Sequence, residues 1–488
     1  MLTDCFRLPL IARGTFAALL CLALLGLPAR AASDGPAEPL CRFGVNHHAG
    51  VSLNSLPIGA LNAGYFIDYL ADTADSPPGM QQLRMVRFNQ PNKASTDYTT
   101  TPSLAAVAAL AEAHPGEIWL AGNEPDRAVY QDDMTPAAYA RAYHDLYQAV
   151  KGADPTAVVV AGNIVQASPL RMQYLDQVLA AYRARYGSAM PVDVWGIHTF
   201  VLNEQRGEWG AEIPPGLPAT EGWVLGTADN ANFDLFVEQI TGFRQWMAAN
   251  GYRNRPLFVT EHGVLMPDGY GFGPFSPAEV SAYMTETFSY LLDTVNVNWG
   301  YPADNQRLVQ HVSWYSVNDK FNPTTWSGFN GYLFDPGVGN QRSPMGDAYA
   351  RFTAQVVSQS DLLVAELNFT PAIPPTGTLP ITVTVQAVVG NSGNTVSKKA
   401  FSLRLYQGDP ANGGQLLEGA LYSGTLAGCG QTRTYTYTWR NVTPGKYDLY
   451  AVVSAGAGVT DVQPANNQLQ KTLRFAEKLL FLPILRRQ

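Results

Sequence analysis

The chain has 488 residues, of which 46% are hydrophobic, 11% aromatic and only 15% charged, so it holds material for a large core and is neither disordered nor fibrous. At roughly 150 residues per domain, the length predicts two to four domains, or one large barrel with a smaller companion. The formal net charge is −8 and no basic run occurs, which argues against nucleic acid as a partner.

The chain opens on an expected secretory signal peptide, residues 1–31. Arg7 and Arg13 precede an apolar run from Phe16 to Leu27, and Ala29-Arg30-Ala31 supplies a small-x-small cleavage pattern. The run is too short for a membrane span, which needs about 20 residues. Without this segment 29 basic and 39 acidic residues remain, a net of −10, and the protein is expected to be secreted. Only Cys41 and Cys429 are then left, too few for a disulfide scaffold or a structural zinc site. They fall in different predicted domains. Two thiols are therefore expected, with an interdomain bridge as the alternative.

Between 42 and 356, short β-rich runs alternate with helical patterns. The strand candidates are Arg42–Asn46, Gly64–Leu70, Leu83–Asn89, Glu117–Asn123, Ala157–Gly162, Val192–His198, Leu257–Glu261 and Gln310–Val317. A helix should start at Thr135-Pro136, with Thr as N-cap and Pro in the first turn, and stop before Gly152. Further helices are expected near 170–185, 231–250, 277–294 and 346–357. Eight strands alternating with helices predict an α/β fold, a (β/α)8 TIM barrel. His47 to Ala63 shows no helical pattern.

From 361 to 475 the period changes to two. Leu363–Phe369, Ile381–Val388, Phe401–Tyr406, Arg433–Trp439 and Tyr447–Val453 read as strands separated by Gly-, Asn- and Pro-rich turns. They predict an all-β, immunoglobulin-like sandwich serving as an accessory domain. Residues 476–488 form a short apolar tail, again too short to span a bilayer.

Two carboxylates stand out. The strand ending in Ala-Gly-Asn-Glu-Pro-Asp126 delivers Asn123 and Glu124 to its C-terminal end, where barrel active sites are built. The apolar strand Pro256–Gly263 delivers Glu261 in the same way, and a carboxylate there is costly without a task or a partner. On the fourth and seventh strands the two would face each other across the barrel mouth. Paired carboxylates are the working parts of glycoside hydrolysis.

Asn123-Glu124-Pro125 and Thr260-Glu261 resemble the two signatures of glycoside hydrolase clan A, over roughly 42–356. The resemblance implies a retaining barrel with Glu124 as acid/base and Glu261 as nucleophile. It also implies Asn123 on the sugar 2-hydroxyl, Arg87 holding Glu261 ionised and Trp314 at the reacting subsite. Together with Val192–His198, the first motif is similar to the small-barrel endo-β-1,3-glucanase group, which adds His198 to the candidates. That group's His-x-Tyr reads His198-Thr199-Phe200 here, and the loop 201–230 is long.

The loops after strands six to eight carry Trp209, Trp223, Tyr270, Phe272, Phe275, Phe321, Trp326, Phe329, Tyr332 and Phe334, with Trp314 on strand eight itself. Aromatic faces suit pyranose rings, and Trp209 and Trp326 join the candidate binding residues. No metal or organic cofactor is expected. His47 and His48 lack a third ligand at suitable spacing. Asp361-Leu-Leu-Val364, Val389–Gly393, Pro444–Tyr447 and Asn466-Asn467 resemble the bacterial cell-adhesion-related sandwich module, which implies attachment to the cell envelope. The expected state is a monomer acting on a polysaccharide or oligosaccharide. The alternative is a catalytically inactive barrel serving as a carbohydrate-binding or cell-surface adhesion protein.

Overall fold

A computed structural model describes residues 38–48, 50–372 and 380–475. The expected signal peptide and the apolar tail lie outside these residues. Residues 38–475 belong to one compact unit.

Eight parallel strands close a barrel: β1 (Leu40–Asn46), β2 (Ala63–Ile67), β3 (Gln81–Asn89), β4 (Ile118–Ala121), β5 (Val158–Ile164), β6 (Val194–His198), β7 (Leu257–His262) and β8 (His311–Tyr315). Each pairs with the next, β8 pairs with β1, and β2 with β3 completes the ring. Their residues are buried almost without interruption, as a parallel sheet covered on both faces demands.

Six helices follow the last six strands: α1 (Leu104–Ala113), α2 (Pro136–Ala153), α3 (Pro169–Tyr186), α4 (Phe233–Ala249), α5 (Pro277–Asp293) and α6 (Pro344–Thr353). Serines cap α1, α3, α5 and α6, and Glu279 completes a capping box on α5. Thr135 precedes α2 without a capping hydrogen bond, its hydroxyl instead accepting from Gln90. Gly152 lies inside α2, one residue before its end. The first two β/α units carry no α-helix. Two short 3-10 turns join β1 to β2, and the hydroxyls of Tyr349 and Thr353 on α6 bond Gly44 and Leu61 there.

Seven further strands form the sandwich: β9 (Leu362–Ala372), β10 (Ile381–Asn391), β11 (Lys399–Gln407), β12 (Gln415–Leu426), β13 (Gln431–Val442), β14 (Gly445–Ala455) and β15 (Gln468–Phe475). They make two antiparallel sheets, ordered β9-β10-β13 and β12-β11-β14-β15. Inward residues such as Val383, Val385, Leu403, Leu405 and Val453 fill the space between them. Sequence alternation missed β12 and β15, where long exposed stretches blur the period.

The sandwich meets the N-terminal end of the barrel strands. Arg42 forks onto Asp304 at 2.8 and 2.7 Å and bonds the Ser392 carbonyl, while Arg307 reaches the Ser392 hydroxyl at 2.8 Å. The expected pair of thiols is corrected here. Cys41 and Cys429 form a disulfide, with Cα atoms 6.0 Å apart. The turn carrying Cys429 is bonded through its backbone to Gly393 and Asn391, which sets the sulfur beneath the start of β1.

Candidate active site

β4 ends at Ala121, and the chain turns sharply. Gly122 sits at φ 84°, where a Cβ would lie 2.8 Å from Asp132 Oδ2. That oxygen accepts the backbone N–H groups of Phe88 and Asn123, each at 2.9 Å, and so ties β3 to β4. Glu124 follows in the left-handed region at φ 45°, uncommon for a residue with a Cβ, and its N–H bonds the Asn163 carbonyl at 2.9 Å. From the far side, β7 carries Glu261 and β6 carries His198. His262, next to Glu261, is wedged between the hydroxyls of Thr199 and Thr287, both at 2.9 Å, which fixes the strand end.

The side chains of Glu124, His198 and Glu261 are all buried and converge. One carboxylate oxygen of each glutamate and one imidazole nitrogen lie within 4.8 Å of one another. His198 bridges the pair, with Nδ1 3.1 Å from Glu124 Oε1 and Nε2 3.6 Å from Glu261 Oε1. Arg127, three residues past Glu124, holds its other oxygen at 3.1 Å and donates to the Gly210 carbonyl at 3.2 Å. Among the described residues, these two glutamates and His198 are also the set placed to hold a metal ion. The Arg127 guanidinium supplies positive charge at the same spot.

The charges follow from these neighbours. Burial opposes ionisation of Glu124, but Arg127 and His198 outweigh it and hold its carboxyl below the ordinary range. Burial pushes Glu261 up; His198 opposes this in part, and the charge on Glu124 adds to it. Burial presses His198 toward neutrality, yet the two carboxylates overcome it and raise its pKa. The pair titrates as a unit. In the free protein the proton therefore favours Glu261, the reverse of the expected assignment, because Arg127 pairs directly with Glu124 and not with Glu261.

Arg87 was expected there and is elsewhere. It donates to Asp132 at 2.6 Å and to Gln131 at 2.9 Å, since the fully buried Asp132 needs a cation. Trp314 is also displaced from its expected place. It is fully buried against Phe288 and His262, and its Nε1 donates to the Gly331 carbonyl at 2.8 Å. Successive strand residues face opposite ways, so Tyr315 takes the mouth instead. Its ring meets Phe200, which packs on His198. Asn123 is buried at the site, with Nδ2 on Gln131 and Oδ1 without a partner. Trp209 stands beside Gly210 on the loop that touches Arg127, and Trp326 stands exposed on the loop after β8.

Sequence reasoning missed Arg127, Tyr315 and Tyr69. Arg127 directly extends the Asn-Glu-Pro-Asp motif and could have been weighed. Tyr315 required the facing of β8, which a continuous apolar run conceals. Tyr69 lies past β2 at φ 63°, and its buried hydroxyl faces both glutamates. Nothing in its local sequence marks it.

A second network stands behind the site. Arg171 of α3 is fully buried, bonds Asp126 at 2.5 Å and Glu204 at 2.8 Å, and donates to the carbonyls of Ala211 and Glu212. It joins the turn after Glu124 to the long loop 201–230, which in turn carries Gly210 to Arg127.

No family model and no curated protein matches the chain. Similar solved structures include a GH128 subgroup II endo-β-1,3-glucanase from Pseudomonas viridiflava, at 16% identity and TM-score 0.41, covering 63% of this chain and 96% of that one. A monomeric β-xylosidase from Caulobacter crescentus is 14% identical at TM-score 0.43, covering 83% and 95%. A GH128 subgroup VII oligosaccharide-binding protein from Cryptococcus neoformans is 14% identical at TM-score 0.39, covering 67% and 99%. At such scores the likeness assigns no activity to this chain.

Proposed function

We propose that the chain is a secreted glycoside hydrolase that cleaves β-glycosidic bonds of a polysaccharide with retention, with β-1,3-glucan as the first substrate to test. The supporting observation is the close approach of two buried, opposed glutamates at the C-terminal end of a barrel, with oxygens within 4.8 Å. Retaining pairs stand about 5–5.5 Å apart, whereas inverting pairs need about 6.5–9.5 Å to admit a water.

The roles follow the resemblance of the two motifs. Glu124 gives its proton to the glycosidic oxygen while Glu261 attacks the anomeric carbon, and the alcohol leaves. Water, deprotonated by Glu124, then displaces Glu261 and releases the sugar. The resting charges run the other way, and His198 supplies the remedy. In its neutral Nδ1–H tautomer, His198 can pass that proton to Glu124 while Nε2 takes the proton of Glu261. That single exchange leaves Glu124 protonated and Glu261 ionised, with the proton count unchanged.

The test is trapping. The full-length protein is screened on soluble β-1,3-glucan, xylan and mannan, then treated with the 2-deoxy-2-fluoro glycoside of the active sugar. The peptide carrying Glu261 should gain the mass of one fluorosugar. Polysaccharide binding without hydrolysis or labelling would favour the inactive, carbohydrate-binding barrel. The sandwich is proposed to serve at the cell envelope, and fractionation of producing cells tests that placement.

A further inference from the structure

Tyr315, beside the glutamates, begins a series of aromatic rings that leaves the catalytic centre. Its ring centroid lies 5.8 Å from that of Phe329. Phe329 closes a small hairpin, in which Phe321 N–H bonds the Phe329 carbonyl at 2.8 Å and Asn322 N–H bonds the Ser327 carbonyl at 2.7 Å. On this hairpin Phe321 and Trp326 meet at 5.6 Å, and Tyr270 from the β7 loop completes the group at 5.1 and 5.7 Å. All three contacts are edge to face.

The cluster is held in place yet left bare. Tyr315 donates to Asp319 at the hairpin's base, Lys320 pairs with Asp335 at 2.8 Å, and Asn330 N–H bonds the Leu265 carbonyl. Trp326 nevertheless stays 64% exposed, Tyr270 42% and Phe329 37%. Trp326 also holds φ 50°, a left-handed backbone that is costly for a bulky side chain. A tryptophan fixed outward in a strained turn forgoes the burial that its ring would otherwise gain. Asp319, Lys320, Asn322 and Asp268 lie on the same two loops. Apolar faces with a polar rim match a pyranose ring, whose faces are C–H and whose edge is hydroxyl. They suit a wholly apolar partner poorly.

We propose that Tyr270, Phe321, Trp326 and Phe329 form a remote sugar-binding platform, which stacks pyranose rings of a polysaccharide chain beyond those flanking the cleaved bond. The inference rests on the glycosidase reading for its direction of travel. It implies that long chains are preferred over short ones.

The experiment compares Trp326→Ala, Trp326→Phe and Tyr270→Ala with wild type in the full chain. Binding to laminarin, xylan and galactomannan is read by affinity electrophoresis in the Glu261→Gln background, which removes turnover. Kinetics are read on whichever polymer is cleaved and on the matching p-nitrophenyl glycoside. Trp326→Ala should weaken polymer binding about tenfold, and its loss of kcat/KM on the polymer should exceed that on the aryl glycoside by a similar factor. Tyr270→Ala should act in the same direction, and Trp326→Phe should retain most of the affinity. Equal losses on both substrates, unchanged polymer binding, or no polymer bound by the parent protein would each overturn the platform. If no substrate is cleaved but Trp326→Ala still weakens polymer binding, the glycosidase reading fails and the platform stands.

Discussion

The two ends of the barrel treat buried charge in opposite ways. At the sandwich end, Asp304 is fully buried and receives Arg42, Arg307 and Gln310, which together overcome the cost of burial and hold its carboxyl low. Every nitrogen of Arg42 has an acceptor. At the mouth, Arg127 bonds Glu124 and not Glu261, and His198 Nε2 and Asn123 Oδ1 are buried without hydrogen-bond partners. Buried polar groups are ordinarily satisfied, so the Arg42–Asp304 cluster is built for holding, whereas the groups around the two glutamates keep bonding capacity for a ligand. The Arg171 network lies between these extremes. It is fully satisfied, yet it supports the turn after Glu124.

Substitutions should separate the two ends. The largest effect is expected at the mouth. Glu261→Gln should abolish turnover with polysaccharide binding retained, as read by initial rates and affinity electrophoresis. Glu124→Gln should cost about 10²–10⁴-fold on natural substrates, but much less in the first step with a dinitrophenyl leaving group, which needs no proton.

Next comes the opposite end. Arg42→Met takes the forked guanidinium from buried Asp304, leaving only the longer Arg307 and Gln310 contacts, and should cost about 3–5 kcal/mol of stability, visible in chemical denaturation, while specific activity of the folded fraction persists. Cys429→Ser should cost less, about 2–4 kcal/mol, again without touching the rate. A fall in the rate of the folded fraction in either case would erase the distinction between the ends.

The smallest effect is a displaced pH profile. Glu261 must be ionised to attack, and its pKa lies above the ordinary carboxylate value, so kcat/KM should rise with pH through a limb shifted toward neutral. The raised pKa has a stability consequence of the same origin. A carboxyl that binds its proton more tightly when folded contributes stability at acid pH, and that contribution is lost as pH rises through the folded value. Glu261→Gln should remove this component from the pH dependence of unfolding.

The sequence made the frame and the two glutamates legible, because barrel strands are apolar runs and their last residues are few. Partners across the fold were not legible. Arg87 and Arg127 both stand near strand ends, and only the demand of buried Asp132 decides which one remains for the site. Trp314 and Tyr315 differ by one residue, which on a strand is a change of face. Cys41 and Cys429 are 388 residues apart, so their bond depends on how the sandwich seats against the barrel. The helix-poor first unit was visible only as a missing pattern between His47 and Ala63, and the second was not foreseen.

The most direct test of the central claim follows the anomer released by the full-length protein from its preferred β-linked substrate, by proton NMR during the first minutes. A nucleophilic Glu261 within reach of Glu124 predicts that the β-anomer appears first and the α-anomer only later, at the rate of mutarotation. The α-anomer appearing first would mean that water, not Glu261, attacks the sugar, and would contradict the account.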